Sequence, residues 1–517
     1  MKFLQSLILF SVVGSMPYCA ALDSTCDAAA MPSAASTSSC DDKKPLPADI
    51  LKETDHIWQG KDKKIPYKAT VGTLTIKDCK EDPKAQIFYI AYTKSDETDT
   101  KKRPITFCFN GGPGSSSVWL HMGAFGPKRV LCTSEGSPVQ PFQLTENQYS
   151  ILDVTDLVFI DPVATGFSRP LPGQDPKQFF GVKQDIESVA EFIRLYTTKN
   201  TRWQSPKILA GESYGTTRAA GLSSYLQSKM FMSVDGVILI SSVLNWQTIN
   251  ITDEYIGNDL PCALSLPSFA ATAWFFKKAG GSAPLDQFLA QVEQFASGDY
   301  TLALMKGSEL DDKQRNSIAE KLSSYTGLTK EYILCADLRP DMLSFAKQIL
   351  KSEQKVVSVY DARIEGIDLN PCDSMPSYDP SLDLLTCAFS SSFNDYVKTE
   401  LGWDKDTEYK ILADVFPWNY EPAINQFLNV ATDLRDTMTK NTYMKVFVAS
   451  GLFDLVTPYF ATEYTLDHMQ LNSSLKGNVT RKFYPGGHMM YLNEPNLQNL
   501  KGDLSVFYSK LRQPVKE

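Results

Sequence analysis

Residues 207–229 read KILAGESYGTTRAAGLSSYLQSK, an apolar run that passes through Gly211-Glu212-Ser213-Tyr214-Gly215 into a helix-forming stretch. Small residues two before and two after Ser213 let the chain turn sharply, so that a hydroxyl stands exposed at a strand's end with a helix N-terminus behind it. Any long chain can hold a GxSxG by chance. Its position between a strand at 207–211 and a helix at 214–229 is what marks it as a nucleophile elbow.

Outward from this point, short apolar runs recur at 105–110, 157–161, 236–241 and 445–450, with helical segments at 185–197 and 214–229 between them. Runs of this length separated by helices read as buried parallel strands. The prediction is a mostly parallel central sheet covered by helices on both faces. Residues 69–76 and 85–92 alternate and are β-branched or aromatic, which predicts an opening antiparallel pair. Between about 249 and 410 the rhythm breaks into helical stretches at 284–295 and 311–324 and a Pro- and Asp-rich segment near 370–383. A helix at 421–439 and the strand at 445–450 then resume the pattern. The expected organisation is a core in two parts, 49–248 and 411–517, around a mainly helical insertion, or cap, at 249–410.

A serine hydroxyl needs a base to take its proton and a third group to orient that base. The chain has four histidines. His56 precedes the core, His121 follows a glycine-rich loop and His468 sits in a helical pattern. His488, in Tyr484-Pro485-Gly486-Gly487-His488, is late in the chain on a loop after an apolar strand, as the order Ser, Asp, His requires. Asp454 lies just past the strand ending at Ser450 and before His488, where the orienting acid belongs. Asp467 falls in a helical run, and Asp433 and Asp436 precede the strand. Acyl transfer also needs donors for a developing oxyanion. Asn110-Gly111-Gly112-Pro113-Gly114 follows the run at 105–109, and the backbone N–H groups of Gly112 and Tyr214 are the candidate oxyanion hole. The glycine run lacks the Gly-Lys-Ser/Thr ending of a phosphate-binding loop.

With these blocks in hand, the sequence resembles the serine carboxypeptidases, most closely their bacterial branch. Residues 110–127 (NGGPGSSSVWLHMGAFGP), 156–170 (DLVFIDPVATGFSRP), 211–215 and 484–489 carry the likeness, which spans about 65–250 and 411–510; the insertion aligns only by position. The resemblance implies an α/β-hydrolase fold and a serine-type carboxypeptidase that releases C-terminal amino acids from peptides through Ser213, Asp454 and His488 and an acyl-enzyme, with no cofactor. It also implies that Asn110 and Glu212 bind the substrate's free C-terminal carboxylate and that Met489 lines the pocket for the leaving residue. A glutamate bonds a carboxylate only while the two share a proton, which favours acidic conditions. The sequence departs from the family pattern at Ala124, where many eukaryotic members have a second glutamate, and at Cys108 and Ser115. Arg218, one helical turn past Ser213, is a candidate replacement charge. The same scaffold hosts acyltransferases and esterases, and some family members are protective binding proteins. Product analysis with a blocked dipeptide and a simple ester separates the first two from a peptidase, and fluorophosphonate labelling of Ser213 separates the third.

At 517 residues and 43% apolar, the chain is large enough for a core with a sizeable insertion. A formal charge of −9, with no Lys/Arg block, argues against nucleic acid as a partner. Lys2, the apolar run at 4–13 and Ala20-Ala21 read as an export signal over 1–21, cleaved after Ala21; Tyr18 is bulky for a lipid-attachment signal at Cys19. Residues 22–48 read as a flexible leader. No later run is long enough for a membrane helix, and the expected location is secreted or periplasmic. Ten cysteines fit an oxidising compartment, with Cys372–Cys387 and Cys262–Cys335 as candidate pairs. Without CxxC spacing or neighbouring histidines, no metal site is expected. Asn250, Asn472 and Asn478 begin glycosylation acceptors, relevant only in a eukaryotic source.

Overall fold

Nine strands line up in one sheet in the computed structural model, which describes residues 47–249, 257–421 and 423–511. In chain order they are β1 (Leu51–Gln59), β2 (Lys64–Lys77), β3 (Pro83–Lys94), β4 (Ile105–Phe109), β5 (Asp156–Ile160), β6 (Lys207–Ser213), β7 (Gly236–Ser242), β8 (Lys445–Gly451) and β9 (Val479–Tyr484). In space the order is β1-β2-β3-β5-β4-β6-β7-β8-β9, with the two-residue strand Arg169–Pro170 also pairing with β3. The first three strands and the β3–β5 contact are antiparallel. From β5 to β9 every pairing is parallel. This is the α/β-hydrolase fold. The export signal and nearly all of the leader, together with Asn250, lie outside the described residues.

Parallel strands covered on both faces must be apolar at consecutive positions, and β7 is buried along its whole length. Its alternate residues divide between two cores. Ile238 and Ile240 join Ile208, Ala210 and Phe447 against Leu497, Leu500, Leu504 and Phe507 of the last helix. Val237 and Leu239 join Leu209 and Val446 against Val189, Phe192, Ile193, Leu222 and Leu226. The helices that matter below are α1 (Val182–Lys199), α2 (Tyr214–Lys229), α3 (Leu260–Phe275), α4 (Leu285–Phe295), α5 (Asp312–Thr326), α6 (Ala431–Lys440), α7 (Tyr459–Asp467) and α8 (Glu494–Lys510).

After β7 the chain leaves the sheet, and it returns only with α6 and β8. Helices α3, α4 and α5 gather a core of their own from Leu266, Phe269, Val292, Phe295 and Tyr325. Phe453 and Leu455, from the connection between β8 and α7, and Tyr459 at the start of α7 pack into that same core. The helical segment therefore grips the loop that carries Asp454.

Three expectations need correction. The opening pair is a three-stranded meander: β1, reading LKETDHIWQ, is an edge strand with mostly exposed side chains, so it lacks an apolar signal. The helix expected from 421 begins only at Ala431, after Val430 at the cap position, where Asn429 Oδ1 accepts from Ala431 N at 3.1 Å in the turn leading in. Neither Cys372–Cys387 nor Cys262–Cys335 forms a bridge; all seven described cysteines are free. Cys262 is in the first turn of α3, partly buried, and its thiol is pushed up to about 12 by burial. Among the described residues no helix is long and apolar enough to cross a membrane.

Where β5 begins, the buried carboxylate of Asp156 holds two buried guanidiniums, Arg103 Nε at 2.7 Å and Arg202 Nη1 at 2.5 Å. The arginines also donate to main-chain carbonyls of the surrounding loops, Leu152, Thr155 and Arg103 among them. Removing one member of such a cluster leaves buried charges without compensation. Asp156→Ala should cost about 3–5 kcal/mol, read as a lower urea midpoint with an unchanged m-value.

Candidate active site

The elbow is as tight as the glycine spacing requires. Ser213 sits at φ 59°, ψ −130°, a strained conformation for a residue with a side chain. Added methyl groups would lie 2.0 Å from Gly215 O at Gly211 and 2.7 Å from Phe109 O at Gly215, so only hydrogen fits at either place. Tyr214 opens α2, and its N–H is among those a helix start leaves without an intrahelical partner. The backbone of the 110–114 loop presses on the same point, since a methyl at Gly111 would lie 2.4 Å from Tyr214 N.

Asp454 is fully buried past the end of β8. Its Oδ1 accepts from Val456 N and Thr457 N, both at 2.9 Å. Its Oδ2 accepts from Thr457 Oγ1 at 2.6 Å and from His488 Nδ1 at 2.8 Å. Further bonds fix the His488 backbone: its N–H donates to Tyr360 O, and its carbonyl accepts from Ser241 Oγ at 2.6 Å. Burial opposes a charged ring, but the charges of Asp454 and Glu212 outweigh it and raise the imidazole above its ordinary pKa.

Six of the seven predicted site residues line one cavity of about 260 Å³: Asn110, Gly112, Glu212, Ser213, Tyr214 and His488. Asp454 stands behind the histidine. Met489 is also in the wall, and Val243, Ile249, Leu412, Phe416 and Val456 make much of the remainder apolar. His121 is buried elsewhere against Tyr92 Oη at 2.7 Å, and His56 and His468 stack on Tyr67 and Tyr464.

Glu212 is the second titrating group at the cavity. Burial pushes its carboxyl up to about 7; nearby His488, Tyr491 and Asn110 oppose the rise, and Asp454 adds to it. Glu212 Oε2, Asn110 Nδ2 and the Tyr491 hydroxyl are all sealed from solvent and lack a formed hydrogen bond. Asn110 is oriented by its other end, where Oδ1 accepts from Leu120 N at 3.0 Å.

A family model described as serine carboxypeptidase matches residues 60–491. The chain belongs to the serine carboxypeptidase family. The pheromone-processing carboxypeptidase KEX1 of Saccharomyces cerevisiae is 30% identical over 164 residues, 29% of this chain and 21% of that protein. Serine carboxypeptidase-like 8 of Arabidopsis thaliana is 28% identical over 155 residues, 29% of this chain and 33% of that protein. The alignments thus span a third or less of these relatives' own lengths. The crystal structure of KEX1(Δ)p, a prohormone-processing carboxypeptidase from Saccharomyces cerevisiae, superposes with a TM-score of 0.52 at 17% identity, covering 86% of this chain and 91% of that one.

In this member of the family, Arg218 is not the free charge expected one turn beyond the serine. It is buried, its Nε pairs with Asp185 Oδ2 at 2.7 Å, and Nη1 donates to Asn110 O at 2.6 Å. The guanidinium braces the backbone of the asparagine and is absent from the cavity wall. Thr457 and Tyr360 escaped the sequence reading, since no motif marks a hydroxyl or carbonyl that buttresses another residue. Arg218→Ala would strand the Asp185 carboxylate in the interior, and a loss of about 3–5 kcal/mol is expected. A melting experiment checks it; an unchanged melting temperature would show that the brace carries no stability.

Proposed function

We propose that this chain is a serine-type carboxypeptidase that removes C-terminal amino acids from peptides. The observation that carries the reading is a single cavity presenting a strained serine, an Asp454-held histidine and an enclosed glutamate whose carboxyl burial pushes up to about 7. His488 Nδ1–H donates to Asp454, which leaves Nε2 as the base for the Ser213 proton. Ser213 Oγ attacks the carbonyl of the last peptide bond while the Gly112 and Tyr214 N–H groups receive the oxyanion. The protonated imidazole then gives its proton to the departing amino group. Water, activated by the same ring, releases the acyl chain from Ser213. Glu212, as a neutral acid, donates to the terminal carboxylate, and Asn110 Nδ2 supplies a second donor. The apolar wall favours uncharged, bulky residues beside the cleaved bond.

On this reading the catalytic core comprises 49–248 and 411–517, with the cap at 249–410. The export signal over 1–21 supports a secreted or periplasmic product.

The pH dependence follows from the two groups. Glu212 must be protonated to bind a carboxylate, and its pKa is raised to about 7, so binding is intact below that value and lost as pH rises through it. His488 must be neutral to act as base, and its pKa is raised too, so the rate falls as pH drops below that raised value. Release of C-terminal amino acids from a peptide panel between about pH 4 and pH 8 should give a bell in kcat/KM. Apolar C-terminal residues should be removed faster than Lys or Arg. Glu212→Gln cannot ionise and should hold KM flat to the alkaline end, while Ser213→Ala should lose roughly 10⁴- to 10⁶-fold in kcat. Ester hydrolysis without release of amino acids would sink the peptidase reading.

A further inference from the structure

Three buried polar groups, the Glu212 carboxyl, the Asn110 amide and the Tyr491 hydroxyl, interact with one another without a hydrogen bond of ordinary geometry, and one of them belongs to no role assigned above. The Tyr491 side chain is wholly buried, and its hydroxyl has no formed hydrogen bond. The ring cannot swing away: it is wedged against Gly123, where an added methyl would lie 2.5 Å from Tyr491 Cε2. Burial raises the phenol well above its ordinary pKa, so the hydroxyl keeps its proton and serves as a donor. Glu212 is the acidic neighbour that acts on it. A sealed donor facing a sealed acceptor oxygen without ordinary hydrogen-bond geometry is costly unless the pair tightens in some state of the protein.

We propose that Tyr491 is a positioning residue for substrate carboxylate recognition: its hydroxyl donates to the enclosed Oε2 of Glu212 and so places the acid's single proton on Oε1, the oxygen available to the cavity. The inference rests on the carboxylate-binding reading of Glu212 and deepens it. Chemistry decides the direction. A carboxylic acid has one O–H and two oxygens, and a proton on Oε2 would face the interior and be useless to a peptide terminus. Tyr491 has only this donor to offer, and Asn110 Nδ2 also reaches toward the carboxyl, its orientation already set by Leu120 N. With both donors behind and beside it, Glu212 turns its proton outward. Tyr491 is not in the cavity wall and touches no substrate; it acts through Glu212, which is in the wall. The charged or titrating groups that face Glu212 are His488, Asp454 and Tyr491, with Asn110 as the neutral donor.

Tyr491→Phe tests the assignment, since it removes the hydroxyl and keeps the ring. For free-acid peptides KM at acidic pH should rise about tenfold, the loss of one hydrogen bond of ordinary net strength, with kcat within about twofold. Peptide amides, which offer no carboxylate, should change little, so the free-acid preference should shrink by the same factor. The alkaline rise in KM should move to higher pH, because the lost donor had favoured the ionised form of Glu212. A variant that loses both substrates alike, melts earlier and keeps the parent's pH midpoint would make Tyr491 a packing residue and overturn the proposal. So would a variant with the parent's preference and midpoint. A parent enzyme that releases amino acids yet does not distinguish free acid from amide would overturn the carboxylate reading, and this assignment with it.

Discussion

The site depends on how closely two backbones can pass. The chain leaving β4 runs across the β6–α2 turn so near that side chains at Gly111 or Gly215 would collide with main-chain atoms. That approach brings the glycine loop's N–H groups to the start of α2, where the helix already has unpaired donors. It also forces Ser213 into its strained turn and holds its hydroxyl out at the end of the sheet. Arg218 secures the contact from below, spanning from Asp185 of α1 to the carbonyl of Asn110. Strain at the serine thus sits beside a buried ion pair between α1 and α2.

The helical insertion is part of this machinery and not merely a cover. Between two short strands, Lys355–Val357 and Glu365–Ile367, its chain dips to the histidine loop. Tyr360 O accepts from His488 N, Asp361 Oδ2 accepts from Gly487 N at 3.2 Å, and Arg363 Nη1 donates to Pro485 O at 2.8 Å. A methyl at Gly487 would lie 2.2 Å from Tyr360 O, so that glycine leaves clearance for the insertion. On the acid's side Ala362 N donates to Phe453 O, next to Asp454. One segment from outside the sheet therefore buttresses both ends of the Asp454–His488 pair. Motion of the insertion would be felt at the imidazole first.

What could be read without coordinates follows the same division. The parallel strands and α2 were legible because burial on both faces leaves long apolar runs; Ser213, His488, Asp454 and Gly112 were singled out by their places at the ends of those runs and Glu212 by the family likeness, and the fold gathers them around one cavity, with Asp454 behind the histidine. Arg218 was misjudged because spacing along a helix does not say which side of the sheet a side chain faces. Tyr360 and Thr457 were invisible for another reason. Tyr360 acts through a carbonyl that every residue has, and Thr457 through a hydroxyl whose worth depends on a carboxylate brought near by folding. β1 was missed because an edge strand with polar side chains carries its order in backbone pairing alone.

Two acids share one buried site with different partners, and the contrast bears on how the proposed reaction keeps its protons in order. Asp454 receives two backbone N–H groups, a threonine hydroxyl and the imidazole. Glu212, equally enclosed, has no formed bond at Oε2 and is pushed toward the neutral acid. Environment rather than residue type separates the two roles. The negative charge beside His488 favours the imidazolium that forms as Ser213 attacks, and the same charge discourages a second one on Glu212. A substrate carboxylate arriving at Glu212 adds to that pressure and strengthens the neutral form it needs. Binding and base catalysis are therefore coupled through a shared field, and a change at either acid should be felt at the other.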